Sequence, residues 1–275
     1  MNKILVTGAK GMLGQDLCPT LADNGYETIE TDKNNLDVTI FDMAEKKILK
    51  ENPDCLIHCA AYTDVDKAED DIKTAQMINA KGTENLAKIC AKYNIPIVYI
   101  STDYVFDGKK NTPYKPYDIP NPINNYGLTK FEGENAIKKY CKKYYIIRTS
   151  WLYGFHGKNF VETMISLKDN RELRVVDDQT GCPTWTIELC DGIIKIIEQE
   201  NYGIFHICGS GEVSRFGFAK EIFKQMKNDI GLKPVSSEEY SKLAKRPKYS
   251  VLDNNGMCRN WKLALRDYLN LRFDD

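Results

Sequence analysis

Short apolar, β-branched runs alternate with longer stretches of helical periodicity through the first half of the chain. Lys3–Thr7 reads as a strand and Met12–Asp23 as a helix. Glu27–Thr31 follows as a strand, Asp42–Asn52 as a helix, Cys55–Cys59 as a third strand and Ile72–Tyr93 as one long helix. Ile97–Ser101, Tyr126–Lys142 and Tyr145–Arg148 continue the rhythm as strand, helix and strand. Such alternation predicts a parallel sheet covered on both faces by helices, and right-handed crossovers make it doubly wound. Past Thr149 the rhythm loosens. Aromatic residues and turn formers gather at Trp151–Asn159 and Asp177–Trp185. Ile187–Glu200 reads as a helix and Ile204–Cys208 as one more strand, while the tail from Ser236 to Asp275 has no clear pattern. The expected class is α/β, with a doubly wound sheet over 1–149. A smaller C-terminal lobe spans 150–275, and 186–208 returns from it to the sheet.

Composition narrows the picture without changing it. The chain is 42% hydrophobic and 28% charged, as globular proteins are. Its net charge is -1, with basic and acidic residues interspersed, which excludes the basic footprint of a nucleic-acid binder. An anionic ligand must then be held by local groups. The start of the chain is apolar for only three residues, too few for a signal-peptide core, and no later stretch is long enough to span a bilayer. Nine cysteines stand singly, with no Cys-x-x-Cys pair and three histidines in all. They read as reduced thiols of a cytoplasmic protein, with no metal site.

Gly8-Ala9-Lys10-Gly11-Met12-Leu13-Gly14 directly follows the first strand and opens a helix. The glycines at this spacing allow a tight turn, backbone approach to a pyrophosphate and close helix–strand packing, the Rossmann arrangement for a dinucleotide. Exposed amides and the helix dipole favour the anion. An acid should follow about twenty residues on to meet the adenosine ribose. Asp32 fits, with Glu30 as second candidate. Lys10 and Lys33 offer charge to a 2′-phosphate instead, so NADH and NADPH both stay open.

Tyr126-Gly127-Leu128-Thr129-Lys130 begins a helix after a breaker-rich segment. The i, i+4 spacing puts phenol and ammonium on one face. A nearby ammonium lowers a phenol pKa from about 10. Tyr126 is therefore a candidate general acid toward a carbonyl under reduction, and Lys130 also reaches for the ribose hydroxyls. Ligands of open α/β sheets bind beyond the carboxyl ends of the strands. Thr102, in Ser101-Thr102-Asp103-Tyr104-Val105-Phe106-Asp107-Gly108 after the fourth strand, is placed there to hydrogen-bond a substrate oxygen.

With the glycine loop, this segment, the Tyr126–Lys130 pair and Arg148-Thr149-Ser150-Trp151, the chain resembles the dTDP-4-dehydrorhamnose reductases of the extended short-chain dehydrogenase/reductase superfamily. Ala60–Glu69 and Asp177–Thr184 match further. The resemblance runs from residue 1 to about 208 and thins afterwards. It implies a catalytic trio of Thr102, Tyr126 and Lys130. It also implies that Gly11, Met12, Leu13, Asp32, Asp37, Val38, Ala61, Tyr62 and Thr63 line a nicotinamide dinucleotide, and that Thr102, Asp103 and Trp151 touch the sugar nucleotide. The implied reaction reduces the 4-keto group of dTDP-4-dehydro-β-L-rhamnose to dTDP-L-rhamnose.

Two departures stand out. In Arg246-Pro247-Lys248-Tyr249-Ser250, Tyr249 replaces the family's Asn. Some members bind Mg2+ at a dimer interface through three glutamates. Asp16 and Glu188 supply two positions and Lys262 takes the third, so no metal is expected, although a homodimer stays compatible with the fold. Nucleotide-sugar dehydratases of this fold place a Glu after Thr-Asp, where this chain has Tyr104, so elimination lacks its base. Epimerases remain open. So does a non-catalytic NADP-binding subunit, because the regulatory β subunit of methionine adenosyltransferase shares the Tyr-Val-Phe-Asp-Gly core.

Overall fold

A computed structural model describes residues 1–240 and 243–273. The alternation predicted for the first half is present. In order come β1 (Lys3–Thr7), α1 (Met12–Asp23), β2 (Glu27–Thr31), α2 (Phe41–Glu51) and β3 (Cys55–His58). A turn of helix, α3 (Lys67–Asp70), precedes α4 (Ile72–Ala75), which runs on through a π-helical stretch, Gln76–Gly82, into α5 (Thr83–Lys92). β4 (Ile97–Thr102), α6 (Asn125–Tyr140) and β5 (Tyr144–Thr149) complete the series. Next lie β6 (Leu152–Tyr153), α7 (Phe160–Ser166), β7 (Glu172–Val176), β8 (Thr180–Gly181) and β9 (Thr184–Trp185). They are followed by α8 (Thr186–Glu198), β10 (Gly203–His206), β11 (Val213–Ser214), α9 (Arg215–Gln225), β12 (Gly231–Val235), α10 (Ser237–Tyr240) and α11 (Trp261–Phe273).

Six strands pair in parallel in the order β2-β1-β3-β4-β5-β10. Side chains of successive strand residues point to opposite faces, and β1 shows the consequence. Ile4 and Val6 pack with Leu13, Leu17 and Leu21 of α1 and with Leu189, Ile193 and Ile197 of α8. Leu5 between them packs with Ile48 of α2, Leu86 of α5 and Ile137 of α6. One five-residue strand thus feeds two cores, which is the doubly wound arrangement. α8 lies against the sheet, and β10 extends it beside β5.

A third core gathers Tyr153, Val161, Trp185, Phe218, Trp261 and Tyr268 from segments after β5. β7 and β12 pair in parallel beside it. The unpatterned tail therefore supplies a core helix, α11. Its buried face, Trp261, Ala264, Leu265, Tyr268 and Leu269, keeps the helical period, and exposed Leu263, Leu271 and Phe273 on the other side blur it. A smaller cluster of Phe106, Tyr114, Cys182, Cys208, Val251 and Leu252 joins the loop after β4 to the tail.

The long helix expected over 72–93 differs in one respect. Its centre is π-helical, which widens a turn by about one residue and is frequent at functional sites. The wide turn buries Asn79, whose amide accepts from Tyr62 N–H (2.8 Å) and donates to the Tyr62 carbonyl (3.0 Å) and Thr129 Oγ1 (3.1 Å). All nine cysteines are free thiols, and among the described residues no helix is long and apolar enough to cross a membrane.

Candidate functional site

The carboxyl ends of β1, β2 and β3 meet at the glycine loop. Gly8 has φ +69°, and a Cβ there would lie 2.7 Å from Ala60 N, so only glycine lets the β1 turn pass under the loop after β3. A Cβ at Gly14 would press on the Gly8 carbonyl and on Ala9. Gly11 caps α1 with no side-chain hydrogen bond. The first bond closing the helix runs from Gln15 N–H to the Gly11 carbonyl (3.0 Å). The amides of Met12, Leu13 and Gly14 therefore precede any intrahelical partner, and the open helix end suits an anion. A cradle that a Cβ would fill, closed by bare amides, fits a dinucleotide pyrophosphate.

Asp32 stands at the rim of this cradle. Its carboxylate pairs with Lys10 Nζ and accepts from Asn34 N–H (2.8 Å), and these bonds hold its pKa below the ordinary value. Glu30 and Lys33 are exposed. Asp37 is occupied locally, accepting from Thr39 N–H (2.9 Å) and Thr39 Oγ1 (2.7 Å), while buried Val38 packs against Gly82 of the π stretch. Ala61, Tyr62 and Thr63 run along the adjoining edge, with Tyr62 clamped by Asn79 at both backbone groups.

The second half of the site forms where α6 meets the end of β4. Asn124 caps α6 by accepting from Gly127 N–H (2.8 Å). A side chain at Gly127 would overlap the Tyr104 carbonyl, so the glycine lets the helix start touch the turn after Thr102. That contact brings the Tyr126 phenol beside the Thr102 hydroxyl, which eases its ionisation, but burial outweighs this and raises the phenol well above its usual pKa. Lys130 is 2% exposed. Its Nζ donates to the Ile100 carbonyl (2.6 Å) and lies 4.1 Å over the Tyr99 ring. Burial depresses its pKa to about 7, against the pull of Glu134 and Cys59. The i, i+4 spacing predicts that Lys130 acidifies Tyr126. In the structure the groups acting on Tyr126 are Thr102, Asp103 and Tyr104, and the phenol stays protonated at neutral pH.

Asp103 lies beneath Thr102, 3% exposed. Its Oδ1 accepts from Thr102 Oγ1 (3.1 Å), and its Oδ2 accepts from Ser150 Oγ (3.2 Å) and Ser250 Oγ (2.6 Å). Burial raises this carboxyl to about 6. Trp151 forms the adjoining wall. It is half-buried and holds φ at 46°, a backbone conformation rare for a bulky residue, as it leaves β5. The Arg215 guanidinium covers its ring at 3.5 Å.

Several site residues escaped the sequence argument. The guanidinium charges of Arg215 and Arg246 both act on the Tyr104 phenol, pulling its pKa down against the rise that burial causes, and Arg246 also makes a two-pronged pair with Asp66 (3.1 and 2.8 Å). Glu134 and Arg148 form a buried pair beside Lys130 (2.7 Å). Asn79 carries no signal in the sequence beyond its place in an expected helix. At the positions where some family members bind Mg2+, Asp16 accepts from Thr186 and lies 3.4 Å from His156, while Glu188 is held by Arg259 (2.5 Å). Among the described residues no three His, Cys, Asp or Glu side chains gather within this chain.

Known proteins agree with this geometry over nearly the whole chain. The family model described as RmlD substrate binding domain matches residues 1–271. A dTDP-4-dehydrorhamnose reductase of Aggregatibacter actinomycetemcomitans is 40% identical, over 92% of this chain and 91% of its own. The solved structure of a dTDP-4-dehydrorhamnose reductase from Clostridium acetobutylicum superposes with a TM-score of 0.95 at 44% identity, covering 98% of this chain and 99% of the other. That of the Bacillus anthracis dTDP-4-dehydrorhamnose reductase, in complex with NADP, has a TM-score of 0.95 at 40% identity, with the same coverage. By fold, site geometry and sequence, this chain belongs to the RmlD substrate binding domain family.

Proposed function

We propose that the protein is an NADPH-dependent reductase that converts the 4-keto group of dTDP-4-dehydro-β-L-rhamnose to the alcohol of dTDP-L-rhamnose, in the cytoplasm. The observation that carries this reading is the meeting of an anion cradle at the start of α1 with Thr102, Tyr126 and Lys130 at the neighbouring strand ends. The order of chemistry suits residues 1–149 as dinucleotide domain and 150–275 as substrate lobe. Gly8, Gly11, Met12, Leu13 and Gly14 hold the pyrophosphate. Asp32, Asp37, Val38 and Ala61–Thr63 flank the adenosine and nicotinamide sides. Lys10, paired with Asp32, puts a cation where a 2′-phosphate would sit, which favours NADPH, while Asp32 leaves NADH usable. The bound dihydronicotinamide supplies the hydride.

The protein's own groups do the rest. Tyr126, kept neutral by burial, gives its proton to the oxygen of the reduced carbonyl. Thr102 hydrogen-bonds the same oxygen, and Lys130 binds ribose hydroxyls and restores the proton. Arg215 and Arg246 bring positive charge to the sugar diphosphate, and Trp151 offers an aromatic wall to the sugar. The test is loss of 340 nm absorbance with enzymatically generated dTDP-4-dehydro-L-rhamnose, NADH and NADPH in parallel. Turnover is expected, and Tyr126→Phe should slow it about 10²–10⁴-fold. Cofactor binding without turnover, or a Tyr126→Phe variant at the wild-type rate, would overturn the assignment.

A further inference from the structure

We propose that Asn124 is a positioning residue that fastens the tail to the start of the helix carrying Tyr126, so that the sugar nucleotide meets Arg246 and Tyr126 in register. The proposal rests on the preceding reading of Tyr126 as proton donor and of Arg246 as a charge toward the sugar diphosphate. A helix N-cap needs only an acceptor, and Ser, Thr, Asp and Asn all supply one. Asn124, 7% exposed, uses its Oδ1 in this way, accepting from Gly127 N–H (2.8 Å). Of those four residues, asparagine alone carries acceptor and donor on separate atoms. Its Nδ2 donates to the Lys245 carbonyl (2.7 Å), 121 residues further along the chain. The helix requires a cap of any kind; the tail requires the amide.

Neighbouring contacts close the same junction. Asp66 accepts from Ala244 N–H (3.2 Å) and pairs with Arg246, and Glu69 accepts from Asn125 N–H (2.8 Å). Asp66 thus ties the tail to α3, while Asn124 ties it straight to α6. From Lys245 the tail passes Arg246, whose charge acts on Tyr104, and reaches Ser250. There the Ser250 N–H donates to the Thr180 carbonyl (2.8 Å) and its Oγ donates to Asp103 Oδ2 (2.6 Å). This short stretch therefore spans the strand ends from the Tyr126 side to the Thr102 side. Loss of the Lys245 contact alone frees Arg246 to shift relative to Tyr126, while the capped helix stays where it is.

The experiment compares wild type with Asn124→Asp and Asn124→Ser, which keep a cap acceptor and lose the amide donor. Steady-state kinetics gives kcat and the KM values for NADPH and the sugar nucleotide. Thermal melts confirm folding, and hydrogen exchange at the Ser250 amide reports on the tail. Both variants should raise KM for the sugar nucleotide about 2- to 12-fold, the range set by one net hydrogen bond. Their kcat, their KM for NADPH and their melting should stay at wild-type values, and Ser250 N–H should exchange faster. A wild-type KM for the sugar nucleotide in both variants would overturn the proposal. So would a fall in kcat at unchanged KM, which would mean that the amide acts on Tyr126 alone. Either result leaves the reductase reading intact. A wild type without turnover would overturn that reading, and unchanged Ser250 exchange in the variants would then overturn the tail contact as well.

Discussion

Lys130 shows what burial does to a charged side chain. Burial lowers its pKa from 10.5 to about 7, so the folded protein disfavours the ammonium. For a lysine with depressed folded pKa, unfolding takes up a proton between those values. The penalty is therefore full below about pH 7 and vanishes above about pH 10.5. Lys130→Met should stabilise the protein by on the order of 3 kcal/mol near neutral pH, with the gain shrinking toward pH 10, while turnover is lost. Urea unfolding at the two pH values checks this, and a variant no more stable than wild type at pH 7 would refute it. The placement of Tyr126 and Lys130 on one turn of α6 was legible in the sequence because i, i+4 spacing is local. The sign of the effect on Tyr126 was not, because burial, a property of the whole fold, outweighs the neighbours.

Between elements, α6 is tied to β5 by Glu134 and Arg148, 0% and 1% exposed. Arg148 Nε and Nη2 donate to the two carboxylate oxygens (2.9 and 2.7 Å), Nη1 reaches the Pro116 carbonyl (3.1 Å), and Ser101 Oγ donates to Glu134 (2.6 Å). Removing one member of a buried pair strands the other. Arg148→Met should cost about 3–5 kcal/mol, and Arg148→Met with Glu134→Met should lie much nearer wild type. Denaturant midpoints of the single and double variants decide it: a double variant as unstable as the single one would mean that packing, not the stranded charge, sets the loss. Element positions agreed with the hydrophobic pattern to within a few residues, since strand and helix periods are written locally. The π stretch was invisible because the contact it makes, the Asn79 clamp on Tyr62, spans 17 residues.

At the scale of the molecule, acid is the stress to examine. His58 and His206 are buried and neutral, with pKa values lowered to about 3, so each must gain a proton on unfolding once pH falls below 6.5. Asp103, raised to about 6, works the other way, taking a proton in the folded state first. These three leave a net uptake of about one proton, so stability should fall by about 1.4 kcal/mol per pH unit across about pH 6 to 4. His206→Phe should flatten that slope by about one proton. An unchanged slope in urea unfolding would show that His206 is not buried neutral.

By itself the sequence determined the doubly wound sheet, the glycine turn between β1 and α1, and the placement of Thr102 at the end of β4 and of Tyr126 and Lys130 on α6. Each is a short-range matter of alternation, glycine spacing or helical repeat. Only the tertiary structure decided that Arg215 and Arg246 flank Tyr104, that α11 joins a core, and that Ser250 reaches Asp103 across 147 residues. Contacts of that separation depend on how the tail folds back over the strand ends, and no periodicity along the chain records where a returning segment will land.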